Sequence, residues 1–403
     1  MAPGPVNCTL KSLQAEPLSQ LPIPQPHQVS LQQQHDYDRQ GVRTAIEKLL
    51  APLGGMAAFV KPGQKVLLKP NLLAGRTPDK AVTTHPEVVR AVAELCLAAG
   101  AEVALGDSPG IGGLESVAHK SGLLEVVKET GIRLAKFEKS VPLAATGTFH
   151  KLEVAQDLLD ADVIINLPKL KTHQMMGLTC AVKNMFGAVV GLRKPRLHLQ
   201  AGTDKAFFAL MLLELCEHLA PQLTIVDAVV GMEGEGPGSG DPVNIGALLA
   251  GSNPQAVDTV ATALLGMRPH QVWTQQQALL TGRPYVSLAE LELLGCSLDS
   301  LRVKNFRTAK MTDINFGLKG GLKRYLKNTL SARPEPEPAR CKLCNECVKL
   351  CPPQAMQIAN KRLQIDYGKC IRCFCCQELC PHGALLTRQG LLLRLSGFLR
   401  GKS

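Results

Sequence analysis

The chain has 403 residues, 45% of them apolar and 4% aromatic, with a formal charge of +11. This length gives room for roughly two or three domains with an Ala-, Leu- and Val-rich core, and no run approaches the ~18 apolar residues of a transmembrane helix. The basic balance favours acidic partners or anionic substrates. Nucleic acid is not expected, because the one basic stretch, 310–327, has few aromatics and matches no nucleic-acid module.

Residues 1–34 hold Pro and Gln clusters with no cationic start or apolar run, and read as a disordered leader rather than a signal peptide. Residues 35–306 alternate short apolar runs with helical patterns. Strands are predicted at 65–69, 103–105, 162–166, 223–226 and 245–250. Helices are predicted at 86–99 and 254–265, each followed by a glycine. This order argues an α/β domain with a mostly parallel sheet and helices on both faces. Residues 307–340 read as a basic connector and Pro-rich linker, and 389–403 as a tail helix packed on the body.

In such a sheet, ligands bind beyond the carboxyl ends of the strands. The predicted strands run into polar turns there: Lys69 and Asn71, then Asp107 and Ser108, then Lys169, Lys171 and His173. Four such turns, counting the one after Asp227, argue a built cleft rather than ordinary punctuation. Three basic groups within five residues can hold a carboxylate or phosphate. Lys183 and Asn184 sit in an otherwise apolar stretch, where a lysine needs a partner or a ligand. Thr84 and Glu87 have capping-box spacing with Pro86 in the first turn, so Thr84 is the expected cap and His85 stays open to function. Asp258 lies on an apolar helix and is expected to be buried and paired. The Gly-rich loop 231–240 reads as a lid or a flexible loop, and Glu233, Glu235 and Asp241 around it as a candidate cation site. No G-x-G-x-x-G follows a strand and no Walker loop occurs, so nothing points to NAD or ATP.

The last quarter carries one pattern twice. Cys341, Cys344, Cys347 and Cys351 precede Pro352; Cys370, Cys373, Cys376 and Cys380 precede Pro381. Both read C-x2-C-x2-C-x3-C-P, the bacterial ferredoxin run for two [4Fe–4S] clusters. Three thiolates on a tight loop grip one cubane and the fourth reaches the other. Cluster one is therefore expected on Cys341, Cys344, Cys347 and Cys380, and cluster two on Cys370, Cys373, Cys376 and Cys351. Structural zinc, which favours two separated C-x2-C pairs, suits this spacing poorly. Cys375 is off the spacing and reads as a packed neighbour. The remaining cysteines show no pairing pattern, which fits a reducing cytoplasm. Bound clusters would bring the net charge to about +7.

The phrases KVLLKPNLL, THPEVVRAVAELCLAAGAEVALGDSPG, DVIINLPKLKTH, CAVKNMFGAVVG, IVDAVVGMEGEGPGSG and GSNPQAVDTVA resemble the domain-of-unknown-function 362 family over about residues 40–306. Many members carry the same C-terminal ferredoxin domain, expected here at 341–388. The resemblance implies an α/β body joined to a ferredoxin in one cytoplasmic polypeptide, and it says little about the reaction. One reading is an iron–sulfur reductase fed by an external electron donor. Lys69, Lys169, Lys171 and Lys183, with Asn71, Asp107, Ser108 and Asn184, would hold an anionic small molecule. His173, His85 or Lys183 would move protons. The other readings are an electron carrier, or a maturation factor acting on a protein partner.

Overall fold

The computed structural model describes residues 24–191, 193–310, 331–390 and 393. One ten-stranded sheet organises the body. In chain order its elements are β1 (Gln28–Gln33), β2 (Lys65–Pro70), β3 (Glu102–Leu105) and β4 (Arg133–Leu134). After a separate ribbon of β5 (Ser140–Pro142) and β6 (Glu153–Ala155) come β7 (Val163–Leu167), β8 (Lys169–His173) and β9 (Gly177–Thr179). The series ends with β10 (Leu223–Glu233), β11 (Asp241–Gly251) and β12 (Glu292–Gly295). The spatial order is β12–β1–β11–β10–β7–β2–β3–β4, with β8 paired to β10 and β9 paired to β8. Strands β4, β3, β2, β7 and β10 run parallel; β11 is antiparallel to both β10 and β1.

The central strands read as continuous apolar runs because both faces are covered. Val66, Leu68 and Ile165 pack under the helices Arg39–Leu50 and Pro86–Ala98. Their neighbours Leu67 and Ile164 turn to the opposite face, against Phe208, Leu212 and Leu215 of the helix Lys205–Leu219. Successive side chains on a strand point to opposite faces, so one short run feeds two cores. A third core joins β1 and β11 to the helix Pro254–Leu264. The mostly parallel α/β architecture read from the sequence is thus the observed one.

Two boundaries differ. Gln28–Gln33, assigned to the leader, is β1 and pairs with both β11 and β12; its alternating Val29 and Leu31 are fully buried. Part of the Pro-rich linker is also a strand, β13 (Arg333–Pro336), which pairs with β16 (Leu385–Arg388). Between them lies the hairpin of β14 (Met356–Ala359) and β15 (Arg362–Ile365). Residues 1–23 of the leader, the connector 311–330 and most of the tail lie outside the described residues; Leu393 packs on Ala332 and Phe374. Cys296 is disulfide-bonded, unlike the expectation for the non-ligand cysteines, whereas Cys96, Cys180, Cys216 and Cys375 are free. No helix among the described residues is long and apolar enough to cross a membrane.

The repeat written in the cysteines is also written in the backbone. Leu343, Asn345 and Gln354 have positive φ, and so do Arg372, Phe374 and Gly383 at the matching places of the second run. Asn345 and Phe374 are the left-handed N-caps of the short helices Glu346–Lys349 and Cys375–Glu378, which start between cysteines of each run, and Gln354 and Gly383 turn the chain after them.

Candidate functional site: two thiol quartets and an interdomain cavity

The cysteines gather in the crossed arrangement. Cys341, Cys344, Cys347 and Cys380 line one small cavity, and Cys351, Cys370, Cys373 and Cys376 line another. Among the described residues no three His, Cys, Asp or Glu side chains converge on a single-ion position, and each quartet surrounds a space instead. Thiolates at the corners of a cubane need that layout. The two quartets differ in access. Cys344 is exposed, with Cys341 and Cys347 half-buried, whereas Cys370, Cys373 and Cys376 are buried.

The second cysteine run faces the α/β body. Gln377 donates to Glu235 across the boundary at 2.9 Å, and His173 Nε2 lies 3.6 Å from Glu378. A cavity of about 230 Å³ opens between the two parts. Cys375, Glu378 and Leu379 form its ferredoxin wall; Lys171, Lys183 and Lys194 are on the body wall. It sits beyond the carboxyl ends of β2 and β3, whose following residues Asn71, Asp107 and Ser108 also line it. A larger cavity of about 630 Å³ lies near the start of β10, among Phe59, Leu213, Pro221 and Arg283. It holds no lysine and none of the ferredoxin cysteines, so size does not identify the site here; the chemistry of the smaller one does.

Local structure fixes the lysines. Pro168 breaks the chain after β7, and β8 restarts it, so Lys169, Lys171 and His173 share one strand face. Lys183 and Asn184 ride on the short helix Ala181–Asn184, whose first amides, Ala181 and Val182, donate to buried Asp258 at 2.6 and 3.2 Å. Asp258, raised to about 6 by burial, is therefore an anchor for that helix. An amide chain joins the walls: Asn71 donates to Asn184 and Asn184 donates to Asn166, each at 2.8 Å. Lys171 donates to Asn71 Oδ1 at 2.9 Å and to the Val82 carbonyl at 2.6 Å. Lys194 donates to the carbonyls of Ser108 and Pro109.

None of the three cavity lysines has a carboxylate within ion-pairing reach among the described residues. Lys183, 8% exposed, has no hydrogen-bond partner there either, only the Phe186 ring at 4.7 Å. Burial pushes its ammonium below the ordinary lysine value. Burial likewise lowers Lys171 to about 7, with Glu378 opposing and Lys183 assisting the shift. Lys194 is lowered to about 7 by burial, Asp107 opposing. Charged groups held without counter-ions favour an incoming anion.

Several sequence candidates have other work. Lys69 lies beneath the cavity, ion-paired to Asp107 at 2.8 Å and donating to the Asn184 carbonyl. Lys169 is buried against Asp227 and Tyr37, each at 2.8 Å, and does not line the cavity. His85, not Thr84, caps the helix Pro86–Ala98 through Nδ1; Thr84 instead donates to the Leu167 carbonyl at 2.6 Å. His85 also stacks on Tyr37 and is pushed down to about 4 by burial, so it is neutral at pH 7. His173 accepts from the Met175 and Met176 amides and is held well below the usual histidine range by burial. It reaches the site only through Glu378. The Gly-rich loop acids are paired with cations, Glu233 and Asp241 with Arg307 and Glu235 with Lys310, which leaves no cation site there. Sequence reasoning missed Lys194, His198 and Glu378. Lys194 follows no strand and carried no signal. Glu378, a lone acid inside the second cysteine run, was legible as unusual.

Two family patterns match the chain: "Domain of unknown function (DUF362)" over residues 66–263 and "4Fe-4S dicluster domain" over 340–384. The second makes the C-terminal module an iron–sulfur domain of the electron-carrier type. A curated relative, "Thylakoid-associated protein sll1697" of Synechocystis sp., is 38% identical over 302 residues, covering 75% of this chain and 92% of its own. Among solved structures, the lactate racemase apoprotein from Thermoanaerobacterium thermosaccharolyticum aligns at a TM-score of 0.39 with 12% identity, over 58% of this chain and 56% of its own. A Thermotoga maritima protein aligns at 0.30 with 14% identity, over 48% and 51%. Likeness this low carries nothing about function. The long, closely matching relative and the pattern match over the α/β body agree, and the chain belongs to the DUF362 family, here fused to a 4Fe–4S dicluster domain.

Proposed function

We propose that this chain is an iron–sulfur oxidoreductase that holds two [4Fe–4S] clusters and reduces a small anionic molecule bound between its two parts. The observation that carries this reading is the cavity whose one wall bears three uncompensated lysines and whose other wall bears Cys375, between the thiols Cys373 and Cys376. Cys341, Cys344, Cys347 and Cys380 would hold one cluster, and Cys370, Cys373, Cys376 and Cys351 the other. When bound, such clusters supply single electrons at low potential. The chain's own residues do the rest. Lys183 anchors the anion, and Lys171 and Lys194 flank it. Leu73, Phe186, Leu350 and Leu379 keep water sparse, which strengthens each charge contact. Reduction of an organic molecule takes up protons as well as electrons, and the Lys171 and Lys194 ammonium groups, both near 7, can give them up. An external donor protein would deliver electrons from the Cys344 side. A cytoplasmic location suits the thiolate ligands, and the relative's thylakoid association is equally consistent.

The test is anaerobic reduction of the holoprotein followed by optical and EPR spectra with fractions of an anionic metabolite pool. One fraction should re-oxidise the protein, and Lys183→Met should lose that response with its spectra intact. Re-oxidation by no small molecule would overturn the reading. The exposed Cys344 favours a second one, an electron carrier or maturation factor for a protein client; that protein would keep transferring electrons to its partner in Lys183→Met.

A further inference from the structure

We infer that an acidic one-electron carrier protein docks on the ferredoxin face around Cys344. The inference rests on the cluster assignment above and extends it to the kind of partner. Cys344 is exposed and shares its cavity lining with Lys342, Ile358 and His382. Ile358 is a large apolar side chain left 39% exposed. It stands on β14 opposite Leu363, and the hairpin tip beside it carries Lys361 and Arg362.

Charge decides the occupant. Lys342, Lys361 and Arg362 are exposed and have no carboxylate partner among the described residues. The nearby cations with partners are Lys349, held by Glu346 at 3.3 Å, and Arg340, held by Glu337 at 2.8 Å. The remaining exposed acid of the module, Asp366, is occupied with the Gly368 and Lys369 amides. An apolar centre with a ring of unpaired cations, over the most accessible cysteine, suits a partner with an acidic rim. Complementary charge steers such encounters and makes them sensitive to salt. In the opposite quartet Cys370, Cys373 and Cys376 are buried and Cys351 is half-buried, so the exposed Cys344 marks the face where a protein partner comes nearest a cluster thiol.

The test uses the full holoprotein and its Lys342→Glu, Lys361→Glu, Arg362→Glu variant, with an acidic plant-type [2Fe–2S] ferredoxin as the probe. Binding by titration calorimetry and reduction by stopped-flow absorbance are both read. The wild type should bind more weakly as salt rises, and the variant should lose about tenfold or more in affinity and rate at low salt. Reduction by methyl viologen radical, a cation, should not slow in the variant. Salt-independent binding, or a variant that binds as the wild type does, would overturn the inference. If the triple variant takes up less iron, Lys361→Gln with Arg362→Gln, at the hairpin tip, decides by the same two readouts. Lys183→Met that loses its small-molecule response while still binding the carrier leaves this inference standing and keeps the two claims separate.

Discussion

Lys183 has the least local company of the buried cations around the cavity. Replacing it with Met keeps the stem that packs near Phe186 and removes the charge, so the fold should survive while anion affinity falls about tenfold or more; ligand titration of the two proteins measures it. Lys171 adds a pH dependence. Its ammonium is charged below about 7 and neutral above, so anion binding should weaken as pH rises through that value. The stability contribution has the opposite slope: between about 7 and the ordinary lysine value of 10.5 the unfolded chain binds more protons, so this group's contribution rises with pH. Lys171→Gln should flatten both curves, in titrations and in denaturant midpoints. Beneath them, Gly187 shows how little room the ion pair leaves. A Cβ there would meet Asp107 Oδ1 at 2.0 Å and Lys69 Nζ at 2.6 Å. Breaking a buried pair costs about 3–5 kcal/mol, so Gly187→Ala should lower the thermal midpoint steeply.

At the scale of elements, β8 explains why a basic cluster legible in the sequence divides its roles. Read as a loop, Lys169, Lys171 and His173 looked like one ligand-binding group. Formed as a strand, they share a face but meet different neighbours along it: Asp227 for Lys169, the cavity for Lys171, and Glu378 across the boundary for His173. The Gly-rich loop after β10 is likewise an interface piece. At Gly238 a Cβ would meet the Glu378 carbonyl at 2.3 Å. Gly238→Val should push the ferredoxin module off the body without touching a cysteine. Iron content should hold, the cavity response should fall, and the radius from X-ray scattering should grow; an unchanged radius with normal response would show that the contact is dispensable.

For the whole molecule, the division of labour follows from access. One quartet meets solvent at the exposed Cys344; in the other, Cys370, Cys373 and Cys376 are buried, Cys351 is half-buried, and the neighbouring Cys375 lines the cavity. Anaerobic analysis should find about eight iron and eight sulfide per chain; about four would mean a single cubane. Cys351→Ser should damage the EPR signal of the enclosed cluster more than that of the outer one, and equal loss would count against crossed ligation.

The sequence by itself determined the cysteine pairing scheme and the strand-and-helix order of the body, because both are local patterns: fixed spacings, apolar runs and glycine stops. It also marked Lys171, Lys183, Asn71, Asp107, Ser108 and Asn184, since polar groups after buried strands stand out. Tertiary structure decided which of these line the cavity. Lys69 and Lys169 look the same in sequence as Lys171, but each finds a carboxylate brought from elsewhere, Asp107 from the turn after β3 and Asp227 from β10. Lys194 and Glu378 enter the site from segments with no strand-end signal. Counter-ions come from residues far along the chain, and no local pattern records who will be opposite whom.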